Sequence, residues 1–167
     1  MVIAPDQFRD EEYEHPREVL LSRGVSVTTA SVSSGACYGR FGAQAEADVS
    51  LADARADDYD AVVFVGGGGS RVFFEDPKAL ELAKKTAAEG KLVAAICIAP
   101  TILANAGLLV GRRATAFPDS QEAVERGGGT YTGRLVEVDG LVVTANGPEA
   151  ARDFGETIAD MLQAGSD

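Results

Sequence analysis

Apolar runs alternate along the chain with polar segments of helical periodicity. Two runs, residues 59–69 (YDAVVFVGGGG) and 92–96 (LVAAI), are apolar at consecutive positions, which is typical of strands buried on both faces of a sheet. Shorter runs predict strands at residues 2–5, 25–32 and 114–117 and a hairpin at residues 135–144. The Gly- and Ser-rich stretch 33–44 predicts a loop or an irregular hairpin.

The polar segments between these strands carry helix signals. Residues 10–24 (DEEYEHPREVLLSRG) are predicted to form a helix with Asp10 as its N-cap and Gly24 as its stop. Pro16 is expected to bend this helix or to mark its true start. Further helices are predicted at residues 76–91, 99–107, 119–129 and 148–163.

The order of these elements predicts the fold class. Strands alternate with helices, and the middle strands have no polar face, so we expect a mainly parallel sheet with helices on both faces. The fold class is therefore α/β, a flavodoxin-like three-layer sandwich. No internal repeat or linker-like stretch divides the chain, so residues 1–167 are predicted to form a single domain.

Charge narrows the choice of partners. The formal net charge is −11, with 26 acidic residues against 15 basic ones, which argues against nucleic acid or an anionic membrane as a partner. The acidity fits either a protein of a salt-rich cytoplasm or a GC-rich genome, and the sequence does not decide between them. No apolar run is long enough to span a bilayer and no signal peptide is visible, so a cytoplasmic location is expected.

Cysteine usage and motifs exclude several classes of site. Two cysteines, Cys37 and Cys97, are too few for a disulfide framework, and no metal-ligand cluster or cofactor motif is visible, so we expect no cofactor and no metal. The glycine run 66–69 lacks the Lys and Ser or Thr of a P-loop, and Arg71 stands where a dinucleotide motif needs its third glycine. The run is either a tight turn or a loop whose bare N–H groups approach a ligand.

Cys97 follows an apolar strand directly, at the edge where open parallel sheets bind their ligands. A free cysteine at such a position is often no more than a small buried hydrophobe. At a strand-to-helix turn, however, helix N–H groups favour the thiolate, so a lowered pKa is the alternative expectation for Cys97. The N–H of Ile98 and that of a glycine would then bind an oxyanion.

Several long segments resemble the ThiJ/PfpI family, the superfamily of the Parkinson-disease deglycase. The segment AAICIAPTILANAGLL resembles the cysteine elbow of the family, and YDAVVFVGGGG resembles its oxyanion strand and loop. Two further segments, DEEYEHPREVLLSRGVSVTTAS and DGLVVTANGPEAARDFG, resemble its first helix with the following strand and its late hairpin with the final helix. The resemblance covers nearly the whole chain in order.

The resemblance implies residue roles and partners. Cys97 is the expected reactive cysteine, Glu12 the carboxyl group that shares a proton with it, and Gly67 and Ile98 the oxyanion N–H donors. An ordinary solvated acid is the alternative for Glu12, and a solvated loop arginine is the alternative for Arg71. A small-molecule substrate and a homodimer are also implied. The expected substrate contacts are Gly66, Phe117 and Arg71.

Departures from the family pattern concern histidine. The chain has one histidine, His15, while Ile98 and Phe117 stand where two branches of the family carry theirs. Peptide hydrolysis needs an acid for its leaving group, so we expect thiolate addition to small reactive carbonyls, of the glyoxalase, deglycase or related hydrolase type. The alternative is a non-enzymatic redox or stress sensor through Cys97 oxidation, and an intracellular peptidase or a chaperone is a further one. Cys37 is expected to be a spare thiol.

Overall fold

The computed structural model describes residues 1–166, which form helices and strands in alternation. The helices are α1 (Asp10–Ser22), α2 (Pro77–Ala88), α3 (Pro100–Asn105), α4 (Gln121–Arg126) and α5 (Ala151–Ala164). The strands are β1 (Asp6–Phe8), β2 (Ala30–Ser31), β3 (Gly35–Gly39), β4 (Gln44–Ala47), β5 (Val49–Ser50), β6 (Ala61–Phe64), β7 (Leu92–Ile96), β8 (Arg113–Ala114), β9 (Thr130–Tyr131), β10 (Val136–Asp139) and β11 (Val142–Ala145).

The central sheet has the order β10-β11-β7-β6 and continues through the start of the chain. Val2 lies between β6 and β2: its N–H donates to Val63 O at 2.8 Å, and the next N–H, that of Ile3, donates to Ala30 O at 2.9 Å. β5 pairs with β2 on the far side. All neighbouring pairs are parallel except β10 with β11, so the mainly parallel sheet is confirmed.

Helices cover both faces of this sheet, as the side chains of β7 show. Val93 and Ala95 pack into a core that includes α2, α3 and α4. Leu92, Ala94 and Ile96 pack into a second core, formed with α1 and α5. Because β7 is buried on both faces, its sequence is apolar at every position. The predicted three-layer arrangement is therefore confirmed.

A small sheet, β1-β3-β4, lies beside the start of α1. Residues 33–44 were predicted to form a loop or an irregular hairpin, and the hairpin alternative is confirmed, because β3 pairs antiparallel with β4. The Asp10 carboxylate accepts hydrogen bonds from Phe41 N at 3.0 Å and Ala43 N at 3.2 Å, both at the hairpin tip. The prediction that Asp10 caps α1 is therefore wrong. Arg9 occupies the N-cap position, without a side-chain cap.

Other element boundaries differ from the predictions in length. Only Ala30–Ser31 of the predicted strand 25–32 pairs in a strand, and just before it Thr29 N donates to the Asp48 side chain at 2.8 Å. α1 runs through Pro16, which lies inside the helix. The hairpin at residues 135–144 is confirmed, with Gly140 at φ +60° in its turn. No helix within residues 1–166 combines the length and apolar character needed to cross a membrane.

Candidate functional site

Cys97 is the first residue after β7, and its backbone adopts a left-handed conformation with φ +65°. Such a φ is uncommon for a residue with a Cβ, and at this position it makes Cys97 a candidate for a functional constraint. The backbone is held on both sides, because Cys97 N donates to Ala145 O at 2.9 Å and Phe117 N donates to Cys97 O at 2.8 Å. The elbow therefore fixes the thiol at the carboxyl edge of the sheet.

Glu12 of α1 meets Cys97 at this edge. Its side chain is fully buried, at 0% exposure, and neither carboxyl oxygen has a hydrogen-bond partner of standard geometry within residues 1–166. Gly66 provides the space: a Cβ there would strike Glu12 Oε2 and lie 2.6 Å from Cys97 Cβ. A buried polar group without a partner costs free energy, so this carboxyl group is a candidate for function rather than for stability.

The backbone N–H groups of Gly67 and Ile98 face the Cys97 sulfur, and both favour the thiolate by lowering the pKa of the thiol. Gly67 has φ +98°, and a Cβ there would strike Arg9 N and lie 2.7 Å from Gln7 O. The glycine is therefore required by both its conformation and its close packing. The structure thus brings together the four residues expected to carry the chemistry: Cys97, Glu12, Gly67 and Ile98.

Burial is the largest influence on the pKa values of Glu12 and Cys97, and it raises both. It raises the pKa of Glu12 to about 7, against opposing effects of the Cys97 thiol, the Arg9 charge and the Gly66 N–H. Burial, together with the charge and hydrogen bonding of Glu12, raises the pKa of the Cys97 thiol to about 12. The expected lowering of the thiol pKa is therefore wrong, because the Gly67 and Ile98 N–H groups only partly offset burial.

The predicted substrate contacts are only partly assembled. Gly66 and Phe117 adjoin Cys97, and the partly exposed Phe117 ring also lies against Gly147, whose Cβ would be 3.5 Å from Cδ2. Arg71 does not join them: its guanidinium lies over the Phe74 ring, 5.9 Å from the centroid. It borders a separate concavity, with Glu75 and Asn105.

The remaining candidates lie apart from the elbow. His15 is half-buried on α1, and its charge helps to lower the pKa of Glu11. Cys37 is buried in β3 with its thiol 3.7 Å from Gly35 O, and both cysteines are free. Within residues 1–166, no group of three or more His, Cys, Asp or Glu side chains is arranged to hold a metal ion.

Arg9 is a site residue that the sequence analysis missed. Its N–H donates to Gly66 O at 3.0 Å, which joins the start of α1 to the glycine loop. Its pKa is raised, chiefly by its hydrogen bond to Glu11 and further by the charges of Glu12 and Cys97. The one signal in the sequence was its position three residues before Glu12, one helical turn away.

A three-layer α/β fold with a left-handed cysteine facing a buried glutamate defines a class of elbow-cysteine proteins. The profile of the DJ-1/PfpI family matches residues 1–161, and the chain belongs to this family. The uncharacterized protein MJ0967 of Methanocaldococcus jannaschii is 40% identical over 98% of this chain and 81% of its own. Deglycase PYRAB04690 of Pyrococcus abyssi is 35% identical over 89% of each chain.

A solved structure is similar over almost the whole fold. The ThiJ/PfpI domain protein from Brachyspira murdochii superposes with a TM-score of 0.96 at 31% identity, covering 98% of this chain and 94% of its own. The resemblance to the family and the flavodoxin-like fold class are both confirmed by these comparisons.

Proposed function

We propose that this protein is a cysteine-dependent enzyme for small reactive carbonyl compounds, of the glyoxalase or deglycase type. The observation that carries the proposal is the Glu12 carboxyl group, fully buried without a standard hydrogen-bond partner beside the left-handed Cys97. Relatives named deglycases, at 35% and 32% identity, support the same class of chemistry.

The first step is addition of the thiol to a carbonyl group. The sulfur attacks the carbonyl carbon as its proton moves from Cys97 Sγ to the ionised Glu12, because the raised thiol pKa disfavours a free thiolate beforehand. An S–C bond forms while the π electrons of the C=O bond move to oxygen, where Gly67 and Ile98 N–H groups stabilise the negative charge. Glu12 then returns the proton to that oxygen, which gives a hemithioacetal with no net change in charge.

Turnover follows for a 2-oxoaldehyde without any oxidant. Glu12 moves a proton from the carbon bonded to sulfur to the neighbouring carbonyl carbon, and the hydroxyl proton passes to the oxygen of that carbonyl. The first carbon thereby becomes the C=O of a thioester and the neighbouring carbon a CH–OH, with no net oxidation. Hydrolysis by one water molecule releases a 2-hydroxy acid and restores the Cys97 thiol. A Glu12 pKa of about 7 suits a group that must both accept and donate a proton near neutrality.

The residues around the elbow favour carbonyl addition over peptide hydrolysis. Release of an amine needs a positioned acid such as a histidine, and Ile98 and Phe117 occupy the two positions where the family carries one. Addition to an aldehyde has no leaving group and needs only the proton that Cys97 and Glu12 exchange. A cysteine peptidase activity is accordingly not expected.

The experiment follows the loss of methylglyoxal and the appearance of a 2-hydroxy acid in the presence of purified protein. Cys97→Ser is expected to abolish both, because the nucleophile is lost. Cys37→Ser is the matched control and is expected to retain activity, since Cys37 lies buried in β3. Absence of methylglyoxal loss in the wild type, or equal loss in Cys97→Ser, would refute the proposal.

A second candidate is a redox sensor, favoured by the partial exposure of Cys97 together with the absence of a histidine at positions 98 and 117. Peroxide would oxidise the thiolate to a sulfinic acid, adding two oxygen atoms, and the protonated Glu12 would donate a hydrogen bond to it. Mass spectrometry after mild peroxide treatment tests this function. Selective oxidation of Cys97 over Cys37 without carbonyl turnover would favour the sensor.

A further inference from the structure

The start of α1 places a cation beside the reactive pair. We infer that Arg9 makes this site favour ligands that carry a carboxylate group next to the carbon that Cys97 attacks. The inference rests on the proposed function only in taking Cys97 as the reacting group. The residue that the sequence suggested for anion recruitment, Arg71, packs on Phe74 instead.

The backbone fixes where Arg9 stands. Its N–H donates to Gly66 O at 3.0 Å, and a Cβ on Gly67 would strike the same nitrogen. Gly66 in turn adjoins Glu12 and Cys97, because a Cβ there would meet both side chains. Arg9 is thus held against the loop that supplies one oxyanion donor.

The Arg9 side chain is held in one orientation, but not all of its donor groups have hydrogen-bond partners. Its Nε donates to Glu11 Oε2 at 2.7 Å, and the guanidinium lies over the Phe41 ring, 4.7 Å from the centroid. No hydrogen bond within residues 1–166 uses its two Nη groups. The side chain keeps 29% of its surface exposed. A planar guanidinium held in this way offers a fork of two N–H donors that matches a carboxylate.

The charge of Arg9 reaches the site. The backbone hydrogen bond to Gly66 O places Arg9 beside the loop that adjoins Glu12 and Cys97, and from there its positive charge favours the ionised form of the Glu12 carboxyl group. The chain as a whole carries a net charge of −11, which repels small anions. A cation beside the thiol offsets this repulsion locally, and Arg9 has its two Nη groups available for a ligand while its Nε is paired with Glu11.

The competing explanation is that Arg9 only holds the hairpin tip in place. Arg40 provides the matched control for this explanation. Arg40 packs on the same Phe41 ring, with its guanidinium 5.4 Å from the centroid. Of the two arginines, Arg9 is the one whose N–H donates to the glycine loop, at Gly66 O, whereas the N–H of Arg40 donates to Phe8 O at 2.9 Å. Loss of a structural contact with Phe41 would affect both variants, whereas loss of anion recognition would affect one.

The experiment compares two alkylating reagents that share a reactive carbon but differ in charge. Iodoacetate carries a carboxylate next to that carbon, and iodoacetamide is neutral. Rates of modification at Cys97 are followed by peptide mass spectrometry. The ratio of the two rates cancels any change in the fraction of thiolate, so it reports anion recognition alone. Circular dichroism confirms that each variant is folded.

Arg9→Gln is expected to lower the iodoacetate-to-iodoacetamide ratio by about tenfold, the usual effect of losing a hydrogen bond to a charged group. Arg9→Lys is expected to keep only part of the ratio, because it keeps the charge but loses the fork of two N–H donors. Arg40→Gln is expected to leave the ratio unchanged. An unchanged ratio in Arg9→Gln, with Cys97 still reactive, overturns the inference and leaves the proposed function standing.

The outcomes separate the two proposals. A ratio that falls as expected in a protein that does not consume methylglyoxal supports the anion site and refutes the carbonyl enzyme. A Cys97 that reacts with neither reagent in any folded variant overturns both. A ratio that falls equally in Arg9→Gln and Arg40→Gln assigns the effect to the hairpin tip and overturns the inference.

Discussion

Cys97 keeps a backbone conformation that most side chains avoid. At φ +65° its Cβ crowds the following carbonyl group, which costs about 1 kcal/mol relative to glycine. Cys97→Gly is therefore expected to be about 1 kcal/mol more stable than Cys97→Ala, although both lose the thiol. Urea unfolding of the two variants measures the difference. Equal midpoints and slopes would show that the elbow is not strained.

Glu12 makes stability depend on pH. Its pKa is raised from 4.5 to about 7 in the folded protein, so its favourable contribution is complete below pH 4.5 and is lost as the pH rises through about 7. Glu12→Gln keeps the shape without the titration. We expect it to match the wild type near pH 4.5 and to be more stable by about 3 kcal/mol at pH 8.

Thermal or urea unfolding of both proteins from pH 4.5 to 8 measures this effect. The difference between the two curves isolates Glu12, because the groups remote from this pair titrate in the same way in both proteins. A constant difference across this range would mean that Glu12 is not held protonated by burial.

The sequence predicts those site residues whose positions follow from neighbouring residues in the chain. It does not predict contacts between residues that are distant in the chain. Cys97 and Ile98 follow a strand directly, and Glu12 lies on the predicted first helix. The pairing of Arg9 and Asp10 with the hairpin tip joins residues about thirty positions apart, and no local pattern encodes it. The thiol pKa was predicted with the wrong sign because the turn shows the N–H groups but not how deeply the sulfur is buried.

At the scale of elements, the glycine loop after β6 combines several separate requirements. A Cβ at Gly66 would meet Glu12, Cys97 and Ile96 O, whereas a Cβ at Gly68 has no neighbour within 4 Å. The four consecutive glycines therefore do not share one role. This explains why the loop holds more glycines than a single turn needs.

Two alanine substitutions test this division. Gly66→Ala is expected to destabilise the protein by about 2 kcal/mol and to abolish Cys97 reactivity, since the added methyl displaces Glu12 or the elbow. Gly68→Ala is the matched control and is expected to stay within about 0.5 kcal/mol of the wild type with full reactivity. Similar behaviour of the two variants in urea unfolding and alkylation would contradict the assignment.

The start of α2 and both ends of β7 were predicted correctly from local signals. α2 has its Asp76 N-cap bonded to Lys78 N at 2.9 Å, and β7 matches its predicted bounds. The strand predicted at 25–32 was overestimated because β-branched residues favour extended backbone whether or not a neighbouring strand is present. Only Ala30–Ser31 finds such a neighbour in β5.

For the whole molecule, the family resemblance implies a homodimer, with the first helix and the edge region of the sheet at the interface. A net charge of −11 on each chain opposes association at low ionic strength, and added salt screens this repulsion. We expect light scattering to give a dimer mass at high salt and an equal or smaller mass at low salt. A monomer mass at high salt would contradict the prediction.

The hydrogen bonds on either side of the elbow have a consequence for biogenesis. The N–H of Cys97 is hydrogen-bonded to strand β11, and its carbonyl oxygen is hydrogen-bonded to the segment just before α4. A chain in which β11 has not yet joined the sheet lacks this hydrogen bond, so the left-handed backbone at Cys97 is held on one side only. Site-specific labelling of this sulfur is therefore expected to distinguish chains in which β11 has joined the sheet from chains in which it has not.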